Sequence, residues 1–168
     1  MKKLSLARLA MLGLLSFGLP ACAHAESFTM PDSKPVVSIT IPDDWETEEI
    51  EDGVEATSPD KNVYIAAELV KAGNVEEATK EALKYLVDNG VVIDPATKKE
   101  KTFKIGELDA YELGWQGKDE DGPTEVSVAI VVVAPKKLMF LTYWATPDGG
   151  KANAADLGAI AQSIMPVK

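Results

Sequence analysis

VSVAIVVVAPKKLMFLTYWA (Val126–Ala145) is the stretch whose reading decides the fold. Both halves are apolar nearly throughout, with no alternation, and APKK (Ala134–Lys137) turns the chain between them. β-Branched and aromatic residues dominate, so the halves read as two strands, Glu125–Ala134 and Leu138–Ala145. A strand without a polar face is covered on both sides. In a sheet joined by short turns, those covers must come from helices or long loops.

Working outward, LDAYELGWQ (Leu108–Gln116) and KEKTFKI (Lys99–Ile105) read as two more strands, joined to the apolar pair through the turn GKDEDGP. VSITIP alternates through Val37, Ile39 and Ile41, the period of a half-buried strand, and Pro42 ends it. Trp45 follows in a polar turn. Val54–Thr57 and Val63–Val70 form a hairpin about SPDKN. Residues 26–35, with two prolines and no period, read as a short extended lead.

Two covers are available. Asn74 opens a helix with Glu77 three residues on, close to a capping box, and Gly90 is the natural stop. Val75, Ala78, Ala82, Tyr85 and Leu86 lie near one face of it. The second cover is a helix over Ala152–Ile164 with Leu157, Ile160, Ala161 and Ile164 as its stripe. The expected fold is α+β: one antiparallel sheet with helices on its faces, an α-β-α sandwich forming a single domain over residues 26–168.

The front end is an address. Lys2, Lys3 and Arg8 precede an apolar run, Leu9–Leu19, too short to span a bilayer. LPACAHAES (Leu19–Ser27) then offers two cuts. Cleavage after Ala25 uses the Ala-His-Ala triplet and yields a periplasmic or secreted protein starting at Glu26. The alternative is an envelope lipoprotein anchored at Cys22, although Pro20 is unusual in that motif. The Ala25 cut is the favoured expectation.

That cut removes the only cysteine, histidine and arginine, leaving 14 basic against 27 acidic residues, a net charge of −13. A Ser-His-Asp triad, a Cys-His pair, a histidine-ligated zinc or iron and a His- or Cys-held haem are then excluded. The acidic surface repels nucleic acid and anionic lipid. It tolerates cations or a basic partner.

Four candidate sites remain. PDDWETEEIEDGVE carries Asp43, Asp44, Glu46, Glu48, Glu49, Glu51, Asp52 and Glu55, with no lysine between Lys34 and Lys61. It reads as a solvated edge, or as a dock for a basic partner or cations with Trp45 as anchor. DEDG with the following glutamate gives Asp119, Asp121 and Glu125 as calcium-like ligands, without the spacing of a calcium loop. Ser58 and Lys61 show a Ser-x-x-Lys spacing, but within a hairpin turn and without its companion motifs. Trp45, Trp115, Trp144, Tyr111 and Tyr143 are either core packing or the lining of an apolar pocket.

SITIPDDW near the start, and FKIGELDAYELGW with Gly106, Ala110 and Tyr111, sit in an order of elements that resembles the PsbP/DcrB-like family over roughly residues 36–165. The resemblance implies an α-β-α sandwich and an accessory or binding role without general catalysis. Photosynthetic members assist a metal-oxygen cluster, but no metal-binding position here matches theirs. Bacterial relatives are envelope proteins, some of them lipoproteins, and one eukaryotic fold relative binds a small GTPase. The expectation is an exported, non-enzymatic binding or accessory protein of the bacterial envelope, docking a protein partner and needing no cofactor. The alternatives are a small-ligand or hard-cation binder and a carboxylate-based hydrolase.

Overall fold

The computed structural model describes residues 25–31, 33–71 and 75–167. Residues 1–24, over which an export signal is expected and which include Cys22 and His24, and the Asn74 cap position lie outside the described residues. The elements are β1 (Ala25–Met30), β2 (Val37–Pro42), β3 (Glu46–Ile50), β4 (Gly53–Thr57), β5 (Val63–Lys71), α1 (Val75–Asp88), β6 (Val92–Ile105), β7 (Leu108–Asp119), β8 (Gly122–Ala134), β9 (Lys137–Ala145), α2 (Pro147–Ala152), α3 (Ala154–Ser163) and β10 (Met165–Pro166).

Seven strands form one antiparallel sheet in the order β3-β4-β5-β9-β8-β7-β6. The apolar strands β8 and β9 lie inside it, and both of their faces are buried, as their composition requires. One face packs against Ile39, Ile41, Trp45, Ile160 and Ile164, with Val63, Val131 and Met139 on the sheet side. The other face meets α1, whose Leu86 is fully buried against Val91 and Val126 and flanked by Trp115 and Trp144. Burial of one such leucine contributes about 2 kcal/mol. Gly90 ends α1 at φ +91°, and the Gly90 and Val91 amides donate to the carbonyls of Val87 and Leu86.

The cover of the first face is richer than the sequence suggests. The extended lead is strand β1, paired with β2 from Ala25↔Pro42 to Met30↔Val37, and β10 adds a third strand on the other side of β2. A small second sheet thus shares the covering with α3. Phe28 and Met30 turn inward from β1, a two-residue alternation too short to register as a period.

The helix expected over Ala152–Ile164 is α3, and a short helix that the sequence did not announce, α2, precedes it. α2 starts at Pro147 behind the Thr146 cap, whose Oγ1 accepts from the Gly149 amide at 3.0 Å. Asn153 then ends it: its side-chain amide donates to Gly149 O and to both oxygens of Asp60. Strand β6 begins seven residues before the expected Lys99, and Pro95 sits where its register slips between Asp94 and Lys99. As an edge strand, β6 accommodates a residue that cannot donate to the ladder.

Candidate functional site

The acidic run folds into the β3–β4 hairpin at one edge of the large sheet. Glu46 is exposed and paired to Lys61, which holds its carboxyl below the ordinary range by hydrogen bond and by charge. Glu48 stands directly opposite Glu55 across the ladder, and Glu49 opposite Val54 on the other face. Glu51 and Asp52 form the turn, with Asp52 at φ +57°. Among the described residues, Glu46 is the one carboxylate of the run in an ion pair.

Asp43 and Asp44 separate from the rest. They lie in the turn after β2 and line a depression with Asp156 and Ser163 of α3. Trp45, read either as an anchor beside the acidic run or as core packing, is 3% exposed and part of the core between the two sheets. Its Nε1 is buried with no hydrogen-bond partner among the described residues. The indole is therefore not beside the acidic edge, because burying its large apolar surface outweighs leaving one N–H unpaired.

Glu51, Asp52 and Glu55 join residues that the run does not contain. They line a cleft of about 430 Å³ beneath α1 with Glu68 of β5, Glu81 of α1, Tyr64 and Tyr85. Tyr64 and Tyr85 stack at 5.6 Å between ring centroids, tying α1 to the sheet. The Glu68 carboxyl is pushed above its ordinary range, first by burial, then by the charges of Glu55 and Glu81. The Tyr64 hydroxyl is pushed up by burial, then by the Tyr85 hydroxyl and Glu55. Sequence reading missed Glu68 and Glu81. The signal for Glu68 is a lone carboxylate within the apolar strand YIAAELV; nothing in α1 singles out Glu81.

A second concavity, of about 350 Å³, lies on the opposite face over Glu112, Gly114, Glu125, Ser127 and Tyr143. Burial raises the Tyr143 hydroxyl, with Glu125 and Glu112 adding to it. Of the five aromatics read as core packing or as the lining of a pocket, Trp115 and Tyr143 both border this concavity, and the others lie elsewhere. Trp45 is in the core, Trp115 and Trp144 flank Leu86, and Tyr111 donates to Glu100 at 2.5 Å on the surface.

The calcium-like residues are not brought together. Asp119 Oδ1 accepts the amides of Asp121 and Gly122 at 2.9 and 3.2 Å, and Oδ2 accepts Trp144 Nε1 at 2.9 Å. Its oxygens thus hold the hairpin and an indole in place. Glu125 lines the concavity with Tyr143. No group of three or more ligating side chains able to hold a metal occurs among the described residues.

Ser58 and Lys61 are turn residues. The fully buried Ser58 hydroxyl donates to Asp60 at 2.6 Å and accepts the Val63 amide at 3.0 Å, while Lys61 turns outward to Glu46. With both its donor and acceptor engaged in the turn and its lysine elsewhere, Ser58 is not an activated nucleophile.

An antiparallel sheet covered by helices and a small second sheet is a PsbP-like α+β sandwich. The solved structures agree on the fold. LpqN from Mycobacterium tuberculosis, described as involved in cell envelope biogenesis, superposes with a TM-score of 0.53 at 16% identity, covering 86% of this chain and 92% of that one. Cyanobacterial PsbP from Synechocystis sp. PCC 6803 gives 0.57 at 10% identity, covering 92% and 99%. A protein from Bacteroides thetaiotaomicron VPI-5482 gives 0.57 at 16% identity, over 84% of this chain and 48% of its own length. No protein-family profile and no curated relative matches the chain.

Proposed function

We propose that this is an exported, non-enzymatic binding or accessory protein of the bacterial cell envelope that docks a protein partner bearing a basic surface. The observation that carries the reading is the acidic edge. Glu48 faces Glu55, Glu51 and Asp52 lie in the adjoining turn, and Glu68 and Glu81 line the neighbouring cleft. Like charges held this close disfavour the isolated fold and favour a cationic partner. The fold shared with an envelope-biogenesis protein supports the compartment.

Affinity capture from an envelope extract at low salt, followed by mass spectrometry, tests the reading. The expected product is a partner with a basic surface that is lost when Glu48, Glu49 and Glu51 are changed to Gln. Binding should weaken steeply with ionic strength, chiefly through slower association. Capture unaffected by these changes and by salt would overturn the acidic dock.

The hydrolase alternative keeps one specific observation: Glu55 and Glu68 share a cleft, and one of them has a raised pKa. An acid and a nucleophile at a sugar would need that asymmetry. Turnover of a glycan panel, abolished by Glu68→Gln, would replace docking with hydrolysis. The expected result is no turnover.

A further inference from the structure

We propose that the large sheet continues from molecule to molecule, β6 of one copy pairing edge to edge with β3 of a second copy. The proposal goes beyond docking of another envelope protein: it names this chain as a partner for itself.

Among the described residues the sheet has two open edges, β3 and β6, each with one neighbour. An open edge presents unpaired backbone N–H and C=O groups, a template for another strand. The two edges carry opposite charge. β3 presents Glu46, Glu48 and Glu49, and Glu51 and Asp52 follow in its turn. β6 presents Lys98, Lys99, Lys101 and Lys104 against two carboxylates, Glu100 among them and Asp94 before the register slip. Two β3 edges repel each other, and so do two β6 edges. An unlike pair attracts, so the charges that block like-edge pairing select the unlike one.

The register matches as well. From Glu49, the row of directly paired residues runs through Val54, Ala67, Leu141, Ala129 and Glu112 to Lys101. The next row on the same face starts at Thr47 and ends at Lys99. A copy displaced along these rows brings Glu49 beside Lys101. Six antiparallel steps separate the two edges, so β3 and β6 run in the same direction and the new pair is parallel. One row opposes like charges, Glu48 and Glu100. Glu100 already accepts from Lys98 at 2.7 Å and Tyr111 at 2.5 Å, which hold its carboxyl below the ordinary range and spread its charge.

β3 is only five residues long, about 17 Å of strand, so the contact is weak and appears at high concentration. It is heterologous: the joined pair still exposes one edge of each kind, and growth continues past the dimer unless a ring closes.

Sedimentation velocity of the purified exported protein over a concentration series tests this. At low salt the average mass should rise with concentration beyond that of a dimer. Raising salt to about 0.5 M should weaken association by roughly tenfold or more. The double variants Lys98→Glu with Lys99→Glu, and Glu48→Lys with Glu49→Lys, should each be monomeric alone. Their equimolar mixture should associate again, because one retains the native β3 edge and the other the native β6 edge. Circular dichroism melts confirm that both variants fold. Lys101 is left unchanged because it pairs with the half-buried Glu112 at 2.9 Å. A wild-type protein that stays monomeric at low salt, or association that survives both reversals, overturns the proposal. Either outcome leaves the capture experiment free to find a different partner.

Discussion

Glu48 and Glu55 stand directly opposite one another across the β3–β4 ladder, both on the face of the sheet that carries the α1 cleft. Directly opposed like charges destabilise a sheet, by about 0.2–1 kcal/mol for such a pair. The fold tolerates them because a single buried side chain such as Leu86 contributes more.

Glu48→Lys is therefore expected to stabilise the isolated protein by about 0.5–1 kcal/mol, with the larger gain at low salt. Thermal melts at two ionic strengths check this. A lower melting temperature at low salt would show that the pair is not repulsive.

Glu68 should make stability depend on pH in a definite direction. Its folded pKa lies above the ordinary 4.5, so the folded state holds the proton more tightly than the unfolded chain. Below 4.5 the group costs nothing; as pH rises from 4.5 through the raised folded value, stability falls. Glu68→Gln should match wild type at the acid end and exceed it above that window. Denaturant titrations across the range read the difference, and parallel curves would remove the linkage.

Asp60 works in the opposite direction. Hydrogen bonds from Ser58, Asn62 and Asn153 lower its carboxyl to about 2, below the ordinary 3.8. The depressed folded value means that its contribution is complete above about 4 and is lost as pH falls towards 2. Asp60→Ala should cost about 1–2 kcal/mol at neutral pH, largely by unpairing the buried Ser58 hydroxyl. The gap from wild type should narrow in acid, as urea melts at pH 7 and pH 3 would read.

Asp119→Ala should cost about 1–3 kcal/mol, since it strips the acceptor from Trp144 Nε1 and from two amides of the turn. Millimolar calcium should leave the wild-type melting temperature unchanged. A calcium-dependent rise that disappears in this variant would restore the cation reading of the turn.

Intact-mass measurement of the exported protein should give a chain beginning at Glu26. In that product β1 keeps every pair from Glu26↔Ile41 onward. A mass corresponding to an acylated chain from Cys22 would establish the lipoprotein instead.

Local pattern carried much of the fold. The unbroken apolar strands, the hairpin about SPDKN, the helix ending at Gly90 and the α+β class follow from period, turn chemistry and capping, each acting within a few residues. The same reading left the acidic run as a solvated edge or a dock. It did not find β3, because ETEEI has no apolar stripe and becomes a strand only by pairing with β4.

By itself, the sequence determined charge balance, the scarcity of histidine, cysteine and arginine and the need for two covers on β8 and β9. Only the tertiary structure placed Trp45 inside, bound Asn153 at the junction of α2 and α3 to Asp60, and brought Glu68 and Glu81 to Glu55. It also set the acidic and basic edges at opposite ends of one row of pairs, Glu49 to Lys101. The reason is physical: periodicity and capping act along the chain, whereas burial, charge repulsion and strand order depend on distance in space, which residues far apart in sequence settle together.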